Sequence, residues 1–322
     1  MIHTGPIPEP VAEPAVQVEH VLRDELAEGD AALASTRPIL QHLLANRDQA
    51  LFSDEVIARV RGMVTHVARQ LLHACAEAGG IADVGSHVAD HEDGLAQLLL
   101  DDSAFLAHAH ALTQEAQLAD QLQRRSAIDG VLSPLLQELA AAADAEMAAA
   151  AMRVIAAQAR FLQTMRRMEM PLGELPGDLF HQALVQLRAY LGDDAIAGPG
   201  EERLRADYDE GLGRLGQLSR LVMALGQHAT RALAIDHAGL AVFATALGMA
   251  SRQDRNVVVL AFGENQLARL ALALRAAGLS QPAVEEQFLF LHPDALLPDH
   301  FASLTPARAM AVLTAATVAQ GD

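Results

Sequence analysis

The segment 86–94, SHVADHEDG, holds the densest group of metal-ligating side chains in the sequence. His87, Asp90 and His91 stand at i, i+3 and i+4, which places all three on one face of a helix. Two imidazoles and a carboxylate suit zinc, iron or manganese, usually with a further ligand from another element. Asp83 or Asp93 can add a carboxylate from a neighbouring turn, and His108 and His110 in AHAHA are the donors from farther along the chain. A structural reading competes. Val88, His91, Leu95 and Leu98 form the apolar stripe of the same helix, where a hydrogen-bonded core histidine serves equally well, and a chain with 14 histidines produces such pairs by composition alone. His108 follows Phe105 on the apolar side of its own helix, which leaves His110 pointing elsewhere. The expectation is no cofactor, with a divalent metal on His87, Asp90 and His91 as the alternative.

A second cluster is RFLQTMRRMEM at 160–170, where Arg160, Arg166 and Arg167 meet Met165, Met168 and Met170 just before a Pro-broken loop. Methionine adapts to irregular partner surfaces and arginine is enriched at interfaces, so these six residues are the expected partner-binding patch. The bland counterpart is a helix end whose arginines meet the dipole and whose methionines fill the core. Other chemistry finds little purchase. There is no G-x-S-x-G elbow, Cys75 lies on the apolar stripe of its helix, and without any Lys a Walker-type phosphate loop is excluded.

The elements that must hold these side chains are helical. Of 322 residues, 51% are hydrophobic and 20% charged, a composition that folds, and Ala, Leu, Arg, Glu and Gln dominate it. All-α is the expected class. Ser53 with Asp54 and Glu55 opens an amphipathic helix through Val56, Val60, Met63, Val67, Leu71 and Cys75, whose other face, Arg59, His66, Arg69 and His73, reads as solvated. Val18, Val21, Leu22 and Leu26 mark an earlier helix ending near Gly29, and Ser103 and Ser133-Pro134 cap later ones. The Ala-rich run 144–167 suits the centre of a bundle, and residues 201–225 read as one long helix, with Arg203, Arg205 and Asp207 on its solvated face. Val257 to Ala261 is the one β-leaning run, too short for a sheet and better placed in a buried helix.

Domain organisation follows from the breaks. Residues 1–15 are a Pro- and Glu-rich arm, 16–192 an N-terminal helical bundle, 193–200 a linker around GDDAIAGPG, and 201–322 a C-terminal domain of repeat-like helix hairpins. The hairpin around residues 274–284 approximates a DNA-reading helix-turn-helix, but its second helix carries Glu285 and Glu286 where base and phosphate donors belong, so it reads as a buried helix pair. Residues 244–260, ATALGMASRQDRNVVVL, and 267–293 with the turn AAGLS at 276–280 resemble an α-proteobacterial all-helical domain family of unknown function. That resemblance implies a helical fold and a bacterial origin, and brings no catalytic residues.

A formal net charge of −18 disfavours nucleic acid and anionic membranes. The lone cysteine, the absence of a signal-peptide pattern and of any stretch of roughly 20 apolar residues favour a cytoplasmic location. The expected function is a non-enzymatic protein-interaction scaffold or regulatory adaptor, binding a protein partner or a second copy of itself. A metal-binding module or metal-dependent enzyme at His87 and His91, and a helical sensor of small molecules, are the alternatives.

Overall fold

A computed structural model of the chain describes residues 14–45, 54–192 and 194–321, and no strand occurs among them. Fifteen α-helices follow one another in these residues. They are α1 (Pro14–Ala45), α2 (Asp54–Ala78), α3 (Val84–Asp101), α4 (Ser103–Ser126), α5 (Pro134–Ala140), α6 (Ala145–Arg166), α7 (Gly177–Leu191) and α8 (Ala197–Asp207). The rest are α9 (Arg214–Ala224), α10 (Ile235–Ala238), α11 (Leu240–Ser251), α12 (Arg255–Leu260), α13 (Leu267–Ala276), α14 (Gln281–Leu291) and α15 (Pro306–Gly321). The all-α class is what the composition calls for.

Local chemistry starts many of these helices. Asp83, Asp102, Ser133, Asp144 and Asp254 each accept a backbone N–H from the first turn that follows, a cap worth about 1 kcal/mol. The cap of α4 is thus Asp102, one residue ahead of the expected Ser103. The expected cap Ser53 lies outside the described residues, as do residues 1–13 of the expected arm.

Two expectations are revised. Helix α1 does not end at Gly29 but runs on to Ala45 with Pro38 inside it. Gly29 is instead a contact point, because a Cβ there would stand 2.7 Å from the carbonyl oxygen of Asn265. The single helix expected over 201–225 is two, α8 and α9, separated by a 3-10 turn at Glu210–Leu212. Tertiary partners outweigh helical continuity there: the Tyr208 hydroxyl donates to the Leu175 carbonyl at 2.8 Å, and the Arg214 backbone N–H donates to Glu174 at 2.6 Å.

Buried apolar side chains form two clusters. One gathers Val60, Met63 and Leu71 of α2 with Leu99 of α3, Phe105 of α4, Phe161 and Met165 of α6 and Leu184 of α7. The other gathers Leu22 and Leu26 of α1, Leu122 of α4, Val154 of α6, Leu218 of α9, Phe243 of α11, Leu270 of α13 and Leu313 of α15. Helices α1, α4 and α6 serve both, α1 through Leu40 in the first cluster, so the Ala-rich α6 packs into each core. Ile196 and Leu204 belong to the same cluster as α2, and α8 lies so close to α2 that a Cβ on Gly200 would stand 2.6 Å from Cys75 Cα. The border between the two cores crosses α1, α4 and α6. In the hairpin of α13 and α14, Gly278 takes a φ of +96°, and Val284, Phe288 and Leu291 are buried, as a structural helix pair requires.

Candidate functional site

The His87 and His91 rings lie 4.6 Å apart between centroids on α3. His91 is engaged with α7, its Nδ1 standing 3.1 Å from the Tyr190 hydroxyl. Asp90 is exposed, and Asp83 is spent on capping α3. Neither alternative ligand joins them. His108 and His110 are both buried, so the expectation that His110 points away from the core is corrected. His108 Nδ1 lies 3.2 Å from Asn256 Oδ1 of α12. Among the described residues no three His, Cys, Asp or Glu side chains are grouped so as to hold a metal ion.

The segment 160–170 splits between surface and interior. Arg160, Arg166, Arg167 and Met168 are exposed, while Met165 and Met170 are buried. What buries them is α2. The Met170 N–H donates to His66 Nδ1 at 3.2 Å, Gln70 donates to the Met170 carbonyl at 3.0 Å, and the Leu172 N–H returns to Gln70 Oε1 at 3.0 Å. Arg59 donates to the Met165 carbonyl at 3.3 Å. The face of α2 expected to be solvated thus clamps the end of α6 and the backbone that follows it, and four of the six residues remain at the surface.

Behind this clamp lies a cavity of about 210 Å³. Its apolar wall is Leu112, Phe161, Met165, Met170 and Leu215, and its charged side chains are Arg160, Glu169, Glu174 and Arg214. Arg214 is rigidly placed. Its guanidinium lies 3.7 Å over the Phe161 ring, makes two bonds of 2.7 and 3.0 Å to Glu115, and donates to Gln158 at 3.1 Å. Glu115, 1% exposed, is shared with Arg255, whose two bonds to it measure 2.7 and 2.8 Å. Burial alone would push the Glu115 carboxyl up, but the two guanidiniums outweigh it and hold the group well below the usual carboxylate range. The triad joins α4, α9 and α12, with α6 supplying Gln158 and Phe161, at the border of the two cores.

This constellation is scattered over 140 positions of sequence, so no motif announces it. One local signal exists: Leu112, Glu115, Ala119 and Leu122 are spaced at i, i+3, i+7 and i+10, which puts an acid in the apolar stripe of α4. Gly211, Gly213 and Gly216 also spell G-x-G-x-x-G before α9. No strand precedes it among the described residues, and the Glu174 carboxylate already accepts the Arg214 N–H at that helix start, so the spacing serves packing rather than a dinucleotide.

A trough of about 570 Å³ runs between α1 and α15, with Leu26, Ala27, Ala31, Ala34, Val312 and Ala316 among its lining. Among the described residues no helix is long and apolar enough to cross a membrane. Comparison of the chain with protein-family models, with curated proteins and with solved structures gives no match.

Proposed function

We propose that the protein is a non-enzymatic helical binding protein that takes a small amphipathic molecule into the cavity beside Arg214. The observation that carries this reading is the joining of an apolar wall to a buried, immobilised guanidinium in one cavity. Pre-placed polar groups on an apolar lining give a ligand both affinity and orientation. At about 210 Å³ the space lies below the roughly 300–1,000 Å³ of drug-sized sites, so the ligand is small. Thr164, the hydroxyl on the wall, donates to the Phe161 carbonyl at 2.9 Å, so it is held as structure rather than poised as a nucleophile. A single buried cysteine suits a reducing, cytoplasmic setting for such a protein.

The test is a titration of four probes sharing one branched skeleton: 3-methylbutan-1-ol, 4-methylpentanoate, 3-methylbutylamine and L-leucine. Methyl-labelled methionine spectra report the site. Binding of any probe that moves the Met165 and Met170 signals, and is lost in Thr164→Phe, supports the reading. Absence of any such shift overturns it.

The trough between α1 and α15 favours a second reading, the scaffold. Ala27, Ala31 and Ala34 stand at i, i+4 and i+7 and are exposed, so a two-fold-related copy presents the same small-residue stripe to this one, as isologous contacts require. Light scattering after size exclusion decides: a dimer that Ala31→Arg converts to a monomer supports self-association, and a monomer at all concentrations removes it.

A further inference from the structure

We infer that the cavity beside Arg214 selects a free α-amino acid with an apolar side chain, an inference that rests on the small-ligand reading above. Two charged side chains on this cavity have no partner among the described residues. Arg160 and Glu169 both border the cavity. Neither side chain makes an ion pair or a side-chain hydrogen bond among the described residues, and their charged ends are not within 4.0 Å of each other. Opposite charges on one small cavity ordinarily close on each other unless geometry keeps them apart. Arg160 is exposed and Glu169 half-buried, so a cation and an anion border the mouth of the same space.

Deeper in, the positive sign prevails. Arg214 and Arg255 share the single carboxylate of Glu115, so the buried triad keeps one uncompensated positive charge. The planar Arg214 fork is fixed by Glu115, Gln158 and Phe161 and cannot swing away. At the other end of the charged side, Glu174 spends one oxygen on the Arg214 backbone N–H. The arrangement offers a carboxylate to meet Arg160 and Arg214, an ammonium to meet Glu169 and Glu174, and an apolar pocket of Leu112, Met165 and Leu215 beyond.

Each simpler ligand matches only one sign. A fatty or branched carboxylate brings no cation to half-buried Glu169, and an amine brings no anion to Arg160 or to the net positive charge of the buried triad. A peptide carries its two terminal charges too far apart and exceeds about 210 Å³. A free zwitterion with a branched or thioether side chain satisfies both charges at once and fills the apolar wall.

The experiment is calorimetric titration with L-leucine, 4-methylpentanoate and 3-methylbutylamine on the intact chain, with the Met165 and Met170 methyl signals locating each event. L-leucine is expected to bind about tenfold or more tighter than either one-charge analogue. Arg160→Gln should weaken leucine and 4-methylpentanoate while sparing the amine, and Glu169→Gln should weaken leucine and the amine while sparing 4-methylpentanoate. Both residues lie at the solvent side of the site, so unchanged melting temperatures confirm that the variants fold. Equal or tighter binding of an analogue or of 3-methylbutan-1-ol, located at the same methyls, sinks the amino-acid inference and leaves the small-ligand reading intact. No located binding by any of the four sinks both.

Discussion

Glu115 and Arg255 stand 140 positions apart and meet through two hydrogen bonds, with the Thr245 hydroxyl holding the same guanidinium at 2.9 Å. Because Arg214 grips the same carboxylate from α9, one acid on a helix shared by both cores fixes two other helices.

Removing that acid strands one buried cation, Arg214, and one partly buried, Arg255. Glu115→Gln is expected to lower unfolding free energy by about 3–5 kcal/mol, the usual consequence of leaving a buried charge unmatched. Urea unfolding of the variant against the native chain measures it. A loss under about 1 kcal/mol, as for a surface pair, would show that the triad does not hold α4, α9 and α12 together.

Acid should destabilise the fold first through histidine. Burial pushes His108 and His110 down to about 4 from an ordinary 6.5. Since the unfolded chain then binds protons more readily, their contribution is complete above pH 6.5 and drains away between pH 6.5 and 4. The slope is about 1.4 kcal/mol per pH unit for each proton taken up. The Glu115 value is depressed as well, but by attraction to two guanidiniums against the cost of burial, and its contribution is lost as pH falls from the ordinary carboxylate range through the depressed folded value. Urea midpoints at pH 7, 6 and 5 should therefore fall steadily, and His110→Leu should flatten the fall. A midpoint constant over that interval contradicts the assignment.

Two glycines of α8 should answer differently to alanine. A Cβ at Gly200 would lie 2.6 Å from Cys75 Cα, whereas at Gly198 it meets nothing within 4 Å. Gly200→Ala is expected to cost about 1–3 kcal/mol through overpacking, and Gly198→Ala to be neutral or to gain up to about 1 kcal/mol from helix propensity. Thermal melts of the two variants side by side decide it.

Ala127 closes α4 at φ +55°, in the left-handed region that disfavours a Cβ. Ala127→Gly should raise stability by up to about 1 kcal/mol, net of the entropy glycine adds to the unfolded chain. An unchanged or lower melting temperature would mean that the cap stores no strain.

What could be read from residue order was what short range controls. Ser133-Pro134 opens α5 as its chemistry demands, and the stripe from Val56 to Cys75 is buried on α2. What could not be read depends on partners from far away. Gly29 looks like a helix terminator in isolation, yet its missing side chain makes room for Asn265. Arg59 and His66 look solvated until the last turn of α6 and the chain after it pack onto them. The cavity itself was half legible: Arg160, Met165 and Met170 were recognisable as unusual neighbours, but Arg214 and Glu169 acquire meaning only once α9 and the turn after α6 close around them.

The closeness of α8 to α2 has one more consequence, for time rather than stability. Cys75 is the only thiol in the chain, it is fully buried, and burial, with Glu201 and Asp194 nearby, pushes it up to about 11. A thiolate-seeking reagent can reach the sulfur only while α8 is lifted, so the rate of modification counts those openings. A single atom thereby serves as a clock for the excursions of one helix while the rest of the molecule stays folded.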